Sequence, residues 1–115
     1  MDNPLVDLSF LRQFAKGNQS KIRKYITFYL ETAPPTLERM QANAEQEQWE
    51  ALAINAHSLK PQADYMGIAA LKSVLTDIED QARNGAVNDI GRLVDSAVQL
   101  HREAEVFLRD YLSSL

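Results

Sequence analysis

The chain has 115 residues, which suits one domain with one hydrophobic core, and we interpret residues 1–115 as a single domain. Hydrophobic residues make up 45% of it, and there are only four glycines and four prolines to form turns. This composition favours a few long helices over a many-stranded β fold. The absence of cysteine excludes disulfides, thiol nucleophiles and cysteine-based zinc sites. The net charge of −4, with scattered Lys and Arg, argues against a nucleic-acid partner.

Membrane association is not expected, because no apolar run approaches the roughly 20 residues of a membrane span. The N-terminus, Met1-Asp2-Asn3-Pro4, has no basic segment followed by an apolar stretch. The sequence therefore predicts no secretory signal, and the expected location is the cytoplasm.

Apolar residues at helical spacing predict a short first helix over about residues 8–16. Asp7 is a candidate N-cap for this helix, and Gly17 is a suitable stop. Asn18 or Ser20 can then cap a second helix.

The second helical pattern is interrupted by Pro34 and Pro35, each of which lacks an N–H and crowds the preceding turn. Two interpretations are open. One is a single kinked helix over about 19–45, and the other is two helices with Thr32 capping the second. The apolar spacing carries across the prolines, which favours the single helix.

Three further helices complete the chain. The third begins at Trp49 and ends at Gly67, the fourth runs over about 68–84 before the turn at Gly85, and Asn88 or Asp89 can cap the last. The apolar positions of the third are Trp49, Leu52, Ala53, Ala56, Leu59, Ala63 and Met66. Helices joined by such short turns predict an all-α, up-down-up-down four-helix bundle with a short extra N-terminal helix.

One histidine of the third helix lies away from its apolar stripe. On a helical wheel with Leu52 at zero, His57 falls at about 140°. A lone helical histidine is most often a core or boundary residue, but this position predicts exposure. Lys60 is one turn away and can lie beside the imidazole, whereas Ile54 and Pro61 make the surroundings apolar.

An exposed histidine beside a cation suits phosphoryl acceptance, because neutral imidazole is a good nucleophile and Lys60 could offset the added charge. Asp64 lies two turns from His57, too far to orient the ring. Tyr65 lies opposite the core stripe and is a candidate either for docking or for packing under a loop. His57 and His101 lack a metal-binding spacing, so no metal site is predicted, and His101 is expected on the flank of the last helix without a role.

These residues resemble the histidine-containing phosphotransfer (HPt) domains of multistep two-component phosphorelays. The resemblance covers about residues 5–112. It rests on Ala56-His57-Ser58-Leu59-Lys60, Gly67 ten residues after the histidine, Leu71, Ile78-Glu79, Ala82-Arg83 and Gly85.

The resemblance implies that His57 accepts a phosphoryl group from an aspartyl phosphate of one receiver domain and passes it to another. It places Lys60 beside the imidazole, and it makes Glu79 a neighbour of that ring from the next helix. The chain would be a monomeric carrier without kinase activity or a cofactor, because Mg²⁺ belongs to the receiver. Its expected partners are response-regulator receivers, with a hybrid histidine kinase as a further candidate. The predicted docking residues are Ala53, Ile54, Pro61, Asp64 and Tyr65.

Pro61 departs from the family, which usually has glycine immediately after the lysine. Because proline cannot donate to the carbonyl of His57, we expect a kink there and a carbonyl left free. Our hypothesis is that this reshapes the docking surface without abolishing transfer.

Two other interpretations compete. The first is the dimerisation and phosphoacceptor module of a histidine kinase, but Ser58 replaces the acidic residue that usually follows the histidine, and no Gly-rich nucleotide loop is present. The second is a helical interaction module that is never phosphorylated.

Overall fold

The computed structural model describes residues 3–115. Met1 and Asp2, which belong to the N-terminal stretch predicted to lack a secretory signal, lie outside the described residues. The described part is all-α, as predicted. Its helices are α1 (Ser9–Phe14), α2 (Gln19–Glu45), α3 (Trp49–Tyr65), α4 (Ala69–Asn84) and α5 (Ile90–Ser114). Over residues 3–115 no helix is long and apolar enough to cross a membrane.

Helices α2 to α5 form the predicted four-helix bundle. Each packs on the next along the chain, and α5 closes the ring against α2. Short turns make consecutive helices antiparallel, which gives an elongated molecule of 43 × 22 × 21 Å. The short helix α1 lies outside this ring, and its Leu11 is buried in the common core. On the outward side of α3, Ile54, His57 and Pro61 are exposed.

Helix α2 continues through both prolines from Gln19 to Glu45, so the single-helix prediction is confirmed and the two-helix alternative is wrong. Thr32 caps nothing, since its hydroxyl donates back to the carbonyl of Phe28 at 2.8 Å. The hydroxyl of Thr36 likewise donates to the carbonyl of Thr32 at 2.9 Å. The helix can therefore present one unbroken face to α3 and α5.

Asn18 and Asp7 both accept backbone hydrogen bonds at the start of a helix, but only Asn18 occupies the N-cap position that the sequence predicts, since the N-cap of α1 is Leu8. Asn18 accepts a hydrogen bond from the backbone N–H of Lys21 at 3.1 Å, so it caps α2 in preference to Ser20, which lies inside the helix. Asp7 accepts from the N–H of Ser9 at 3.0 Å, although Leu8 directly precedes α1.

His101 contradicts the prediction that it sits on the flank of α5. It is only 4% exposed and faces α2, where its Nδ1 lies 2.8 Å from the hydroxyl of Tyr29. The reason is the register of α5, because Ala97, His101, Ala104 and Leu108 recur at spacings of four, three and four. A histidine therefore occupies a core position that periodicity alone would assign to an apolar residue.

Burial fixes the protonation of this pair. Desolvation lowers the pKa of His101, an effect that the nearby Glu105 partly opposes. Desolvation also raises the pKa of Tyr29, so the phenol stays protonated and donates to the neutral imidazole. The remaining nitrogen, Nε2, is buried without a hydrogen-bond partner among the described residues and lies 3.9 Å from Glu105.

We predict that this pair makes the bundle sensitive to acid. The pKa of His101 is lower in the folded chain, so the unfolded chain binds the proton more readily and stability falls as pH drops below about 6.5. His101→Gln should flatten this part of the stability curve, measured by urea unfolding between pH 8 and pH 5. Wild type and variant should have parallel curves above pH 7.5, and an unchanged slope below pH 6.5 would contradict the assignment.

Gly67 joins the N-terminal segment to the turn between α3 and α4. Its φ is +66°, a conformation that favours glycine, and its carbonyl accepts from the N–H of Asp7 at 3.0 Å. A Cβ built on Gly67 would overlap the carbonyl oxygen of Asp7. Glycine is thus required both for the backbone conformation and for the close approach of the N-terminal segment.

Gly67→Ala should destabilise the fold by roughly 2–4 kcal/mol, since the left-handed conformation and the clash with Asp7 both oppose a side chain. Gly91→Ala is the matched control. Gly91 lies inside α5 with open space around it, and alanine is the better helix former by about 1 kcal/mol. Urea unfolding of both variants measures the difference, and equal stabilities would refute the role given to Gly67.

Candidate functional site

The centre of the site is His57, on the outward side of α3. Its side chain is 65% exposed, as the helical wheel predicts. Leu52, Ala56 and Leu59 of the same helix are fully buried, so packing of the core fixes the rotation of α3. The imidazole is held at the surface by a helix that has no freedom to turn it inward.

A single buried carboxylate meets the imidazole from α4. Oε2 of Glu79 lies 2.9 Å from Nδ1 of His57, and Oε1 lies 2.8 Å from Nζ of Lys60. Arg83, one turn further along α4, directs Nε and Nη2 at Oε2 at 3.2 and 3.1 Å. The Glu79 side chain is only 10% exposed. Two cations and the ring therefore share one carboxylate with little solvent access.

The charge state of Glu79 follows from these contacts. The hydrogen bond from Lys60 is the largest influence and lowers the pKa of Glu79, burial opposes it, and Arg83 and His57 lower it further. The carboxylate is therefore ionised at neutral pH and can only accept hydrogen bonds. In the neutral ring of His57, Nδ1 then carries the proton and donates it to Glu79, which leaves the lone pair on Nε2.

This arrangement can present a nucleophile. A neutral imidazole with Nδ1–H held by a carboxylate offers Nε2 to an electrophile, and the carboxylate stabilises the positive charge that develops on the ring. Lys60, with a side chain about one quarter exposed, and the more exposed Arg83 put two cations at the same place. The electrophile that best suits these charges is anionic.

The structure distributes the five predicted docking residues unevenly. Ile54, Pro61 and Tyr65 are exposed on the outward side of α3. Asp64 is also exposed and pairs with Lys72 of α4 at 3.1 Å, an ion pair open to solvent. Ala53 is wrong as a docking residue, because it is fully buried. It follows Leu52 on the inward side of the helix, and a side chain without accessible surface cannot contact a partner.

Pro61 does not end α3, which stays helical from Trp49 to Tyr65. Its missing N–H still removes the usual donor to the carbonyl of His57.

Two features of the site were not assigned from the sequence. Arg83 was given no role, although its spacing of four residues from Glu79 is the signal for a contact on one helix face. The rings of Phe10 and Phe14 on α1 surround Tyr65, at centroid distances of 5.6 and 6.0 Å. No sequence signal joins α1 to the end of α3, since that contact depends on how the N-terminal segment folds back.

Comparison with known proteins identifies the class. The family model of the Hpt domain matches residues 24–115, and the chain therefore belongs to the Hpt domain family, whose members are phosphotransfer carriers. A search of curated protein sequences gives no significant match.

Among solved structures, the chain is similar to the crystal structure of histidine-containing phosphotransfer protein B (HptB) from Pseudomonas aeruginosa PAO1. The TM-score is 0.91 at 17% sequence identity, and the alignment covers 99% of each chain. At this identity the likeness establishes a shared fold, which includes the short helix α1 that precedes the family match.

The role of Glu79 can be tested in the isolated chain. Glu79→Ala should remove the acceptor of the hydrogen bond from Nδ1–H. The neutral ring of His57 should then no longer prefer the tautomer that carries its proton on Nδ1. The ¹⁵N chemical shifts of the two ring nitrogens, recorded at pH 8, measure the tautomer. Glu79→Gln is the control, because its amide oxygen can still accept from Nδ1–H. A wild-type ring protonated on Nε2 would overturn the assignment.

Proposed function

We propose that the chain is a phosphorelay intermediate in which His57 accepts a phosphoryl group from a receiver-domain aspartyl phosphate and transfers it to another receiver aspartate. The observation that carries this proposal is the exposed imidazole whose Nδ1 is hydrogen-bonded to the buried Glu79. Family membership supports the transfer of phosphoryl groups. The exposure of His57 supports a donor as large as another protein domain.

In the proposed step, the lone pair of Nε2 attacks the phosphorus of the aspartyl phosphate. The N–P bond forms as the bond between phosphorus and the aspartate oxygen breaks, and the aspartate leaves as a carboxylate. The proton on Nδ1 stays on the ring, and its hydrogen bond to Glu79 strengthens as the ring gains positive charge. The return step reverses these changes, with the aspartate of the second receiver as nucleophile.

The surrounding charges suit a carrier that must also release its cargo. A phosphoryl group adds roughly −1.5 to −2 charge, by analogy with other phosphorylated residues. Lys60 and Arg83 can offset it, but both are already paired with Glu79, which limits how tightly they hold the group. The receiver would supply Mg²⁺ and the aspartate. The partners in this proposal are response-regulator receivers, with a hybrid histidine kinase as an upstream source.

The proposal predicts that phosphoryl transfer depends on His57. Receiver domains from the source organism, phosphorylated on aspartate with acetyl phosphate and desalted, are mixed with the chain, and acid-labile phosphate on the chain is followed. His57→Gln should abolish labelling, and Lys60→Ala should slow it by about a hundredfold, the lower end of the effect of losing one charge-stabilising donor.

Arg109→Ala is the matched control. Arg109 contacts Glu105, four residues earlier on α5, through the same Nε and Nη2 atoms, away from the site. It should transfer at the wild-type rate. If no receiver labels His57 in the wild-type chain, the alternative of a phosphorylation-independent interaction module would replace this proposal.

A further inference from the structure

A groove runs between α2 and α5, on the side of the bundle opposite His57. The helices follow the order α2, α3, α4 and α5 around the bundle, so the α2–α5 contact lies across from the α3–α4 contact that joins His57 to Glu79. Two clefts of about 290 and 250 Å³ lie between α2 and α5. Gln41 lines both of them, so the clefts adjoin and form one groove, which we call the α2–α5 groove.

The rims of the α2–α5 groove are two helical stripes. Their residues recur at alternating spacings of three and four, which is the spacing at which one helix packs against another. On α2 these residues are Glu38, Gln41 and Glu45. On α5 they are Gly91, Asp95, Val98 and Arg102, followed by Glu105. The α5 stripe is about 21 Å long, which is room for about four turns of a third helix.

The floor of the groove is apolar and allows close approach. Leu37 and Val94 are buried beneath it, and Val98 is half-buried. Gly91 has no side chain, and a Cβ built there would meet nothing within 4 Å. The distance between two packed helices depends on the side chains at their contact, so a helix could lie close to α5 at this end.

The rims carry an excess of negative charge. Four carboxylates line the groove with one guanidinium: Glu38, Glu45, Asp95 and Glu105 with Arg102. Glu38, Glu45 and Asp95 are exposed, and none of the three takes part in an ion pair within residues 3–115. Glu45 and Asp95 line the same cleft from opposite helices. A cationic partner relieves the repulsion between such like charges and is attracted by both rims.

The wall of the groove also contains an unsatisfied polar group. Nε2 of His101 is buried there without a hydrogen-bond partner among the described residues. Because Tyr29 donates to Nδ1, Nε2 of the neutral ring carries the proton. Oε1 of Glu105 lies 3.9 Å from Nε2, too far for a hydrogen bond, and Arg109 contacts only Oε2. A partner hydroxyl that accepts from Nε2–H and donates to Oε1 satisfies both atoms.

We propose that the α2–α5 groove binds a basic amphipathic helix of a partner protein. Lysine or arginine side chains on both flanks of that helix meet the carboxylates of the two rims, and its small and apolar seam packs on the floor. The inference goes beyond the proposed function, because this groove lies across the bundle from His57. A protein held there leaves the phosphoacceptor uncovered, so one chain can engage both partners at once.

The probe is a synthetic helix of about 16 residues, with alanine and leucine along one seam and lysine on both flanks. Its control carries glutamate in place of every lysine. Binding is followed through the backbone amide signals of the ¹⁵N-labelled chain. The lysine peptide should shift signals of residues 34–45 and 91–105 and leave those of His57 and Lys60 in place, and the glutamate peptide should shift none. Shifts centred on α3 and α4, or spread over the whole surface, would refute the proposal.

Charge variants separate the groove from the net charge of the chain. Glu38→Gln/Asp95→Asn removes one carboxylate from each rim and should weaken binding of the lysine peptide by roughly tenfold. Asp77→Asn/Asp80→Asn is the matched control, because it removes the same charge from exposed positions on α4 and should stay within about twofold of wild type. Equal losses in the two double variants would overturn the proposal.

A shape variant tests the floor. Gly91→Leu fills one end of the groove and should weaken peptide binding by about tenfold or more. Ser96→Leu adds the same side chain at an exposed position of α5 outside the groove and should bind as wild type. Thermal unfolding checks that every variant is folded. If Gly91→Leu and Ser96→Leu bind equally well, the helix does not lie in the groove and the proposal fails.

Two other occupants are distinguished directly. If spermine shifts the same signals and binds as tightly as the lysine peptide, the groove is a polyamine site and the proposal is wrong. If light scattering shows a wild-type dimer that Gly91→Leu dissociates, the groove is an interface between two copies of this chain, which also overturns it. Neither result bears on phosphoryl transfer to His57.

Discussion

The site depends on placing one ionised carboxylate where water has little access. An isolated buried carboxylate would be costly, and three neighbours share its stabilisation here. Lys60 takes one oxygen of Glu79, while His57 and Arg83 take the other. Because each partner comes from α3 or α4, the carboxylate also fixes how these two helices lie against each other at the level of the ring. The contacts that orient the imidazole are therefore the same contacts that hold α3 against α4.

A buried polar contact also joins the other two helices of the bundle, α2 and α5. Tyr29 of α2 and His101 of α5 form a second buried polar pair, and desolvation is the largest influence on the pKa of each, with Glu105 as the nearest charge. The His57–Glu79 and Tyr29–His101 pairs differ in the exposure of the histidine ring. Glu79 holds an exposed ring that must react, whereas Tyr29 holds a buried ring that only joins two helices.

Much of the architecture could be predicted from the sequence. The periodicity of apolar residues located five helices and favoured a single α2 through Pro34 and Pro35, which the structure confirms. The wheel placed His57 outside the core. The resemblance brought Glu79 to the ring, which no spacing within the chain could do, because His57 and Glu79 lie on different helices and meet only through packing.

The errors have separate causes. Periodicity ranks residues by polarity, so it moved His101 off the core stripe of α5, although its spacing from Ala97 and Ala104 matches that stripe. The docking role given to Ala53 conflicted with its place among the apolar positions of α3, and the structure buries this side chain as the periodicity indicates. The contact of α1 with the end of α3 depends on how the N-terminal segment folds back onto the turn at Gly67. No sequence pattern within α1 or α3 indicates this contact.

The contact between Asp7 and Gly67 bears on where this domain physically begins. The family match starts at residue 24, within α2. Yet Val6, Leu8 and Leu11 belong to the same core as the bundle helices, and the backbone of Asp7 is hydrogen-bonded to the turn that follows α3. A chain cut at the border of the family match would keep every residue of the phosphoacceptor site. It would also leave core side chains uncovered at the end of the bundle nearest Tyr65, so the folding unit extends further toward the N-terminus than the family signature does.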